Sequence, residues 1–172
     1  ATKPFRESMI PKEYFWTYIY ASSPLANLQQ NINLDKQEPI TSRKLLSMIN
    51  AEILPDFISK RTTPYLWLPI YIDSRIPGPF NVSTIYSRSY SYAGWTGILL
   101  MGIFLAAFPI FFCWLLPTSS RFFVSGWCLL CTMYFFSVYD NTFRFTGLSF
   151  QLVYPILLHW IDRRTKVLSR VF

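Results

Sequence analysis

Three cysteines and one histidine are the side chains of this chain best suited to chemistry. Cys128 and Cys131 form a C-x-x-C pair, a spacing typical of redox and zinc sites in soluble proteins. With Cys113 and His159 they make up the four donors of a tetrahedral zinc site. In a hairpin that turns near Thr118, however, Cys113 and Cys128 would differ in depth by roughly 7 Å, and zinc–sulfur bonds of about 2.3 Å do not bridge that. The sequence therefore predicts no metal, no cofactor and no catalytic residue.

The composition predicts an integral membrane protein. Of the 172 residues, 52% are hydrophobic and 15% are charged, against about 25% charged residues in soluble domains. No charged residue occurs in the 32 positions from Ser89 to Ser120, and about 20 apolar residues suffice to cross a bilayer. We predict an all-α membrane protein with two to three transmembrane helices in a hairpin or small bundle, preceded by an extended proline-rich arm with short helices.

Three apolar segments between residues 89 and 161 are candidates for the membrane helices. They comprise residues 94–116, 122–139 and 145–161, which as helices would cover about 34, 27 and 25 Å. The third segment contains Gln151 and Pro155. It either crosses the membrane, the alternative we favour, or lies at the interface as an amphipathic helix. Asp140 or Asn141 is expected to cap it.

Small side chains lie on one face of each of the first two segments. They are Gly102, Ala106, Pro109 and Cys113 on the first, and Ser125, Cys128 and Thr132 on the second. Membrane helices associate by close backbone approach over small residues. These faces are therefore predicted to pack the helices of a hairpin, and the cysteines are interpreted as packing residues.

Residues 1–88 are predicted to form an arm outside the membrane. Helix starts are expected at Ser22-Ser23-Pro24 and at Thr41-Ser42, the second helix ending before Pro55, while residues 65–80 are expected to be extended. The acidic residues of the arm are interpreted as a solvated face. Its large apolar side chains lack long regular elements that could bury them, so they are predicted to bind partner proteins: Trp16, Leu45, Leu46, Ile49, Trp67 and Ile70.

Basic residues crowd the C-terminal tail, residues 162–172. They are Arg163, Arg164, Lys166 and Arg170, placed where a cytoplasmic or matrix tail would meet anionic lipid headgroups. The net charge of +7 does not indicate nucleic-acid binding, because no basic stripe or recognised nucleic-acid fold accompanies it. With three crossings the arm and the tail would face opposite sides of the membrane, and with two crossings they would share one side.

The general plan of arm, membrane hairpin and basic tail resembles that of supernumerary subunits of mitochondrial inner-membrane complexes. The chain begins at Ala1, which fits removal of an initiator or presequence. The resemblance implies a multi-pass, non-catalytic accessory subunit of the respiratory chain or the ATP synthase, acting in assembly and stability, with other subunits and bound lipids as partners. Two alternatives are a component of an oligomeric transporter or channel, and a small membrane enzyme that uses His159 with Asp162.

Overall fold

The computed structural model describes residues 6–7, 9–34, 39–76 and 82–168. Within these ranges the chain is all-helical, with no strand. The helices are α1 (Phe15–Leu34), α2 (Ser42–Met48), α3 (Asp56–Tyr65), α4 (Ile85–Leu115), α5 (Phe123–Phe136) and α6 (Thr146–Leu168). A 3-10 turn, Lys12–Tyr14, precedes α1, and a π-helical turn, Ile49–Ile53, continues α2. The predicted all-α class is confirmed for this part of the chain.

Helix α1 begins earlier than the sequence predicts. It starts at Phe15 and carries Pro24 in its interior, so the expected start at Ser22-Ser23-Pro24 is wrong. Proline donates no backbone hydrogen bond, but tertiary contacts hold the helix at this point. The Ser23 hydroxyl donates to the Val82 carbonyl at 2.9 Å, and Asn27 Nδ2 donates to the same oxygen at 2.7 Å.

A buried polar row on α1 fixes the segment that precedes α4. Asn27 Oδ1 accepts from the backbone N–H of Ile76 at 2.8 Å. Asn31 exchanges two bonds with Ser74, accepting from its N–H at 2.7 Å and donating to its carbonyl at 2.8 Å. Residues 68–76 have no helix or strand of their own, so these amide side chains satisfy backbone groups that regular structure would otherwise pair.

The helical stretch in the second half of the arm begins and ends where the sequence predicts. Thr41 caps α2 by accepting from the N–H of Lys44 at 3.3 Å, and the helical stretch ends at Leu54, before Pro55. Both expectations are confirmed. Helix α3 was not predicted. The expected extended segment is wrong at its start, because Tyr65 belongs to α3 and residues 66–67 form a turn. Residues 68–76 have no helix or strand, and residues 77–81, which include Pro77 and Pro79, lie outside the described residues.

Helix α4 is bent sharply at Gly94. Ala93 and Gly94 leave the helical conformation, with Gly94 at φ 54° and ψ −140°, a region that favours glycine. The carbonyl oxygen of Ser89 lies so close to Gly97 that a Cβ added there would be 2.0 Å from it. The bend separates a short helix, residues 85–92, from a long apolar one, residues 95–115. The predicted boundary between the arm and the transmembrane region, after residue 88, falls inside the short helix.

The long part of α4, α5 and α6 form an antiparallel bundle. Gly126 near the start of α5 lies against Phe112 and Leu116 near the end of α4, and the Tyr134 hydroxyl donates to the Leu105 carbonyl. Phe143, in the α5–α6 loop, packs its ring 5.3–5.4 Å from those of three aromatic residues, namely Phe104, Phe108 and Tyr134. Phe143 belongs to a buried core that also contains Ile85, Met101, Phe112, Leu116, Leu130, Met133 and Leu152.

The helix lengths differ from the predicted spans. Only α4, among the described residues, is long and apolar enough to cross a membrane, and 11% of its most apolar stretch is buried. Helix α5, with 14 residues, is shorter than the predicted 122–139 and covers about 21 Å, because the chain turns at Ser137. Helix α6 runs to Leu168, so the first residues of the predicted tail are helical.

Candidate functional site: a charged junction between arm and bundle

A buried carboxyl group lies where the arm meets the bundle. Glu52, in the π-helical turn after α2, has no exposed surface. Its Oε1 is 3.2 Å from Nε of Arg88 on the short part of α4. The two atoms are close enough to form an ion pair, but their geometry is not that of a hydrogen bond. Asn141, in the α5–α6 loop, completes the group by donating to the Glu52 carbonyl at 2.6 Å and to Oε2 at 3.1 Å.

The surroundings of Glu52 favour its neutral form. Burial raises the pKa of Glu52 from 4.5 to about 7, although the Arg88 charge and the Asn141 hydrogen bond act to lower it. Desolvation dominates because the carboxylate would lose its water entirely, while Arg88 keeps contact with solvent. The junction therefore holds a carboxyl group that can change its protonation state near neutral pH.

A second carboxylate ties the start of α3 to the start of α6. Asp56 lies 3.3 Å from Lys60 Nζ through one oxygen and 3.3 Å from Arg144 Nε through the other. Two backbone N–H groups join the same segments. The Asp56 N–H donates to the Arg144 carbonyl at 2.7 Å, and the Phe57 N–H donates to Thr146 Oγ1 at 3.1 Å. The arm is therefore docked on the loop end of its own bundle.

An open cavity of about 920 Å³ lies beside these ion pairs. Four cationic side chains line it: Arg43, Lys60, Arg88 and Arg144. The lining also includes apolar residues, Pro64 at the end of α3 and Trp67, Leu68, Pro69 and Ile70 in the segment that follows α3. A cavity with convergent cations and apolar lining residues has the chemistry of a site for an amphipathic anion.

Helices α1 and α2 of the arm bury several polar side chains and expose several large apolar ones. In α1, Ser23 and Asn27 have no exposed surface, whereas Trp16 is 62% exposed and Leu25 is 69% exposed. In α2 and its π turn the buried residues include Ser47, Asn50 and Glu52, while Leu46 and Ile49 are exposed. The outer surface of the arm therefore carries large apolar side chains beside polar and charged ones.

The apolar arm residues singled out from the sequence mostly lie on this outer surface. Exposed side chains are Trp16, Leu46, Ile49, Trp67 and Ile70. Leu45 is the exception, because it packs against the small cluster of Met48, Tyr92 and Ala93. That these residues bind partners stays a prediction.

The predicted small-residue faces do not meet each other in the hairpin. A Cβ added at Gly102 would contact nothing, and Ala106, Ser125, Cys128 and Thr132 are exposed. Pro109 and Cys113 are half-buried. The interface between α4 and α5 is instead formed by bulky residues around Gly126. The hairpin-packing interpretation is therefore wrong for contacts within this chain, because larger side chains fill that interface, and packing on a partner stays a prediction.

The candidate chemical groups at the other end of the bundle are dispersed. Cys113, Cys128 and Cys131 are free thiols, and the described residues contain no cluster of three or more His, Cys, Asp or Glu side chains. Asp162, considered as a partner of His159, lies 2.6 Å from Arg121 in the α4–α5 turn. This ion pair joins α6 to that turn.

Two basic residues of the predicted tail, Arg163 and Arg164, lie near the end of α6, away from the arm along the bundle. Arg163 and Arg164 are exposed on the helix. Lys166 belongs to α6, but its side chain is not among those described, and Arg170 lies outside the described residues. Since α4 leads away from the arm, α5 returns and α6 leads away again, the arm and Arg163 are at opposite ends of the bundle.

Sequence reasoning missed the residues that make the junction. Glu52 was included in a solvated acidic face, and Asn141 was a candidate cap for α6, yet both are fully buried. The one available signal is the polar spacing on α1, where Ser23, Asn27 and Asn31 recur every four residues. That spacing marks one helix face, but it does not reveal that the face is the buried one.

Comparison with protein-family models, with curated proteins and with solved structures finds no match for this chain.

Proposed function

We propose that the chain is a non-catalytic accessory subunit of a large hetero-oligomeric membrane complex. The observation that carries the proposal is the burial of polar side chains in the arm, Ser23 and Asn27 on α1 and Glu52 in the turn after α2, while Trp16 and Leu25 are exposed. Large exposed apolar patches mark protein or membrane contacts, because water contact with such surface is unfavourable. In a complex, other subunits would bury this apolar surface, as expected for an accessory subunit that acts in assembly and stability.

The apolar helices supply the membrane anchor in this proposal. The part of α4 beyond the bend, residues 95–115, covers about 32 Å, close to the roughly 30 Å of a bilayer core. Leu99, Ile103 and Ile110 on this part are more than half exposed, as lipid-facing side chains would be. Helix α5 covers about 21 Å and is therefore about 9 Å shorter than the bilayer core. Local thinning of the bilayer accommodates such a mismatch at fractions of a kcal/mol per Å.

Partner subunits, and not lipid alone, are proposed to cover the arm. Its apolar residues are interspersed with exposed cations such as Arg43 and Arg61. They also include the exposed aromatic residues Trp16, Tyr65 and Trp67. Aromatic and arginine side chains are enriched in protein interfaces and dominate their binding energy. The arm therefore carries the residue types of an interface.

The mitochondrial inner membrane is the proposed location. The support is the plan of an arm, an apolar bundle and basic residues, including Arg163 and Arg164, at the far end of α6. This plan resembles that of accessory subunits of the respiratory chain or the ATP synthase. With three antiparallel helices crossing, the arm and the end of α6 would face opposite sides.

Co-purification of the full-length chain in mild detergent tests the proposal. We expect a fixed set of membrane-complex subunits at constant stoichiometry. Replacing Trp16 and Tyr65 with Ala should reduce recovery of those subunits, whereas Trp114→Ala, at a similarly exposed position on the apolar helix α4, should not. Recovery of the chain alone, or as a homo-oligomer, would contradict the proposal, and a homo-oligomer would favour the transporter alternative.

A further inference from the structure

The cavity at the arm–bundle junction has an excess of positive charge. Of its four cations, Lys60 and Arg144 share the single carboxylate of Asp56, and Arg88 pairs with Glu52. The fourth, Arg43, donates to the backbone carbonyl of Trp67. Four cations therefore face two carboxylates. A guanidinium carries five N–H donors, more than one carboxylate contact uses, so the site can bind an additional anion.

The cavity also lies at the level where the apolar helices begin. Arg88 precedes the bend at Gly94, and Arg144 lies just before the first residue of α6, Thr146. Charged side chains at the ends of apolar segments are positioned for the headgroup region of a bilayer. Trp67 and Ile70, among the apolar residues that line the cavity, are 81% and 67% exposed, which gives acyl chains a surface to lie on.

We propose that this cavity binds the phosphate group of an anionic phospholipid, with the cations of α2, α3, α4 and the α5–α6 loop around the phosphate and the acyl chains along the wall formed by residues 67–70. The ligand would fill the space between the arm and the bundle and hold the two together. A free phosphate offers the same charge to the cations but leaves the apolar wall uncovered. The inference rests on the proposed membrane location and extends it to a specific lipid site.

Lipid binding by the full chain in neutral detergent tests this site. The probes are phosphatidylglycerol, phosphatidylcholine and inorganic phosphate, and the readout is the retained lipid in native mass spectrometry together with the shift in melting temperature. The test variant is Arg43→Gln with Lys60→Gln, which removes two exposed cations and leaves the Glu52–Arg88 pair intact. The control is Lys12→Gln with Arg61→Gln, which removes the same charge from exposed positions outside the cavity.

We expect the wild type and the control variant to bind phosphatidylglycerol equally and the test variant to bind it about tenfold more weakly. Equal weakening in both variants, or equal binding of phosphatidylcholine by the wild type, would overturn the site. Stabilisation by inorganic phosphate equal to that by phosphatidylglycerol would overturn lipid as the source of the anion. Failure here with intact co-purification of partner subunits would reject the lipid site without rejecting the accessory-subunit proposal.

Discussion

Glu52 of the arm and Arg88 of α4 form an ion pair in which the carboxyl group has no exposed surface and its Oε1 lies 3.2 Å from the guanidinium Nε. Asn141 of the α5–α6 loop donates to both the side chain and the backbone of Glu52. The three residues come from three separate parts of the chain. Together with the Asp56–Arg144 contacts, this group holds the arm on the bundle.

Removing Arg88 should destabilise the chain more than neutralising Glu52. Arg88→Met leaves a buried carboxyl group without a cation, which costs about 3 kcal/mol. Glu52→Gln retains an acceptor for Asn141 and should cost about 1 kcal/mol. Thermal unfolding of the full chain in detergent measures both. The double variant should lose less than the sum of the single variants, and additive losses would show that the pair is not coupled.

Stability should increase as the pH falls through neutrality. Because burial raises the pKa of Glu52 from 4.5 to about 7, the folded chain binds this proton more readily than the unfolded chain does. The contribution is fully present below about pH 4.5 and is lost as the pH rises through about 7, and it amounts to about 3 kcal/mol. Melting temperatures between about pH 4 and 8 measure it.

The control for this pH dependence is Glu52→Gln, which keeps every other titrating group. Its melting temperature should rise less than that of the wild type as the pH falls. Parallel curves for the wild type and the variant would show that Glu52 does not titrate in this range.

Three glycines of α4 should respond differently to alanine. Gly94→Ala places a side chain at φ 54° and should cost about 1–3 kcal/mol. Gly97→Ala should be at least as severe, because the new Cβ would lie 2.0 Å from the Ser89 carbonyl oxygen. Gly102→Ala is the control, since its Cβ meets open space and alanine favours helix by about 1 kcal/mol. Equal effects at Gly94 and Gly102 would contradict the bend.

The sequence predicted element types better than it predicted which faces are buried. Thr41 and Pro55 correctly bound the helical stretch that includes α2, because a cap and a proline act locally on the backbone. The apolar spacing of Leu46 and Ile49 also indicated a helix, but these two residues are exposed and Glu52 is buried. Apolar periodicity identifies the helix face that is removed from water. It does not say whether the rest of the chain or a partner covers that face.

Long-range pairing explains the remaining errors. Pro24 was expected to start a helix, but Ser23 and Asn27 bond to Val82, which lies more than fifty residues along the chain. Asn141 likewise reaches Glu52 across 89 positions. Local patterns contain no information about such partners, so the charged junction could not be derived from them.

Leucine substitutions should separate packing within the chain from packing on a partner. Gly126→Leu should destabilise the isolated chain, because a Cβ there already lies 2.7 Å from Leu116 Cδ2 and 3.0 Å from Phe112 Cζ. Gly102→Leu should leave the isolated chain stable, because that face is open, but should reduce incorporation into the complex. Leu99→Ala is the mild control. Normal incorporation of Gly102→Leu would remove the case for a packing face on α4.

Site-specific photo-crosslinking in native membranes tests most directly whether partner subunits cover the arm. A photoreactive residue is placed at Trp16, Ile49 or Tyr65, which are exposed on the arm outside the cavity, and at Leu99 on the apolar part of α4 as the lipid-facing control. We expect discrete protein adducts from the three arm positions and mainly lipid adducts from Leu99. Lipid adducts alone from the arm positions, or no adducts at all, would contradict the proposal that partner subunits cover the arm.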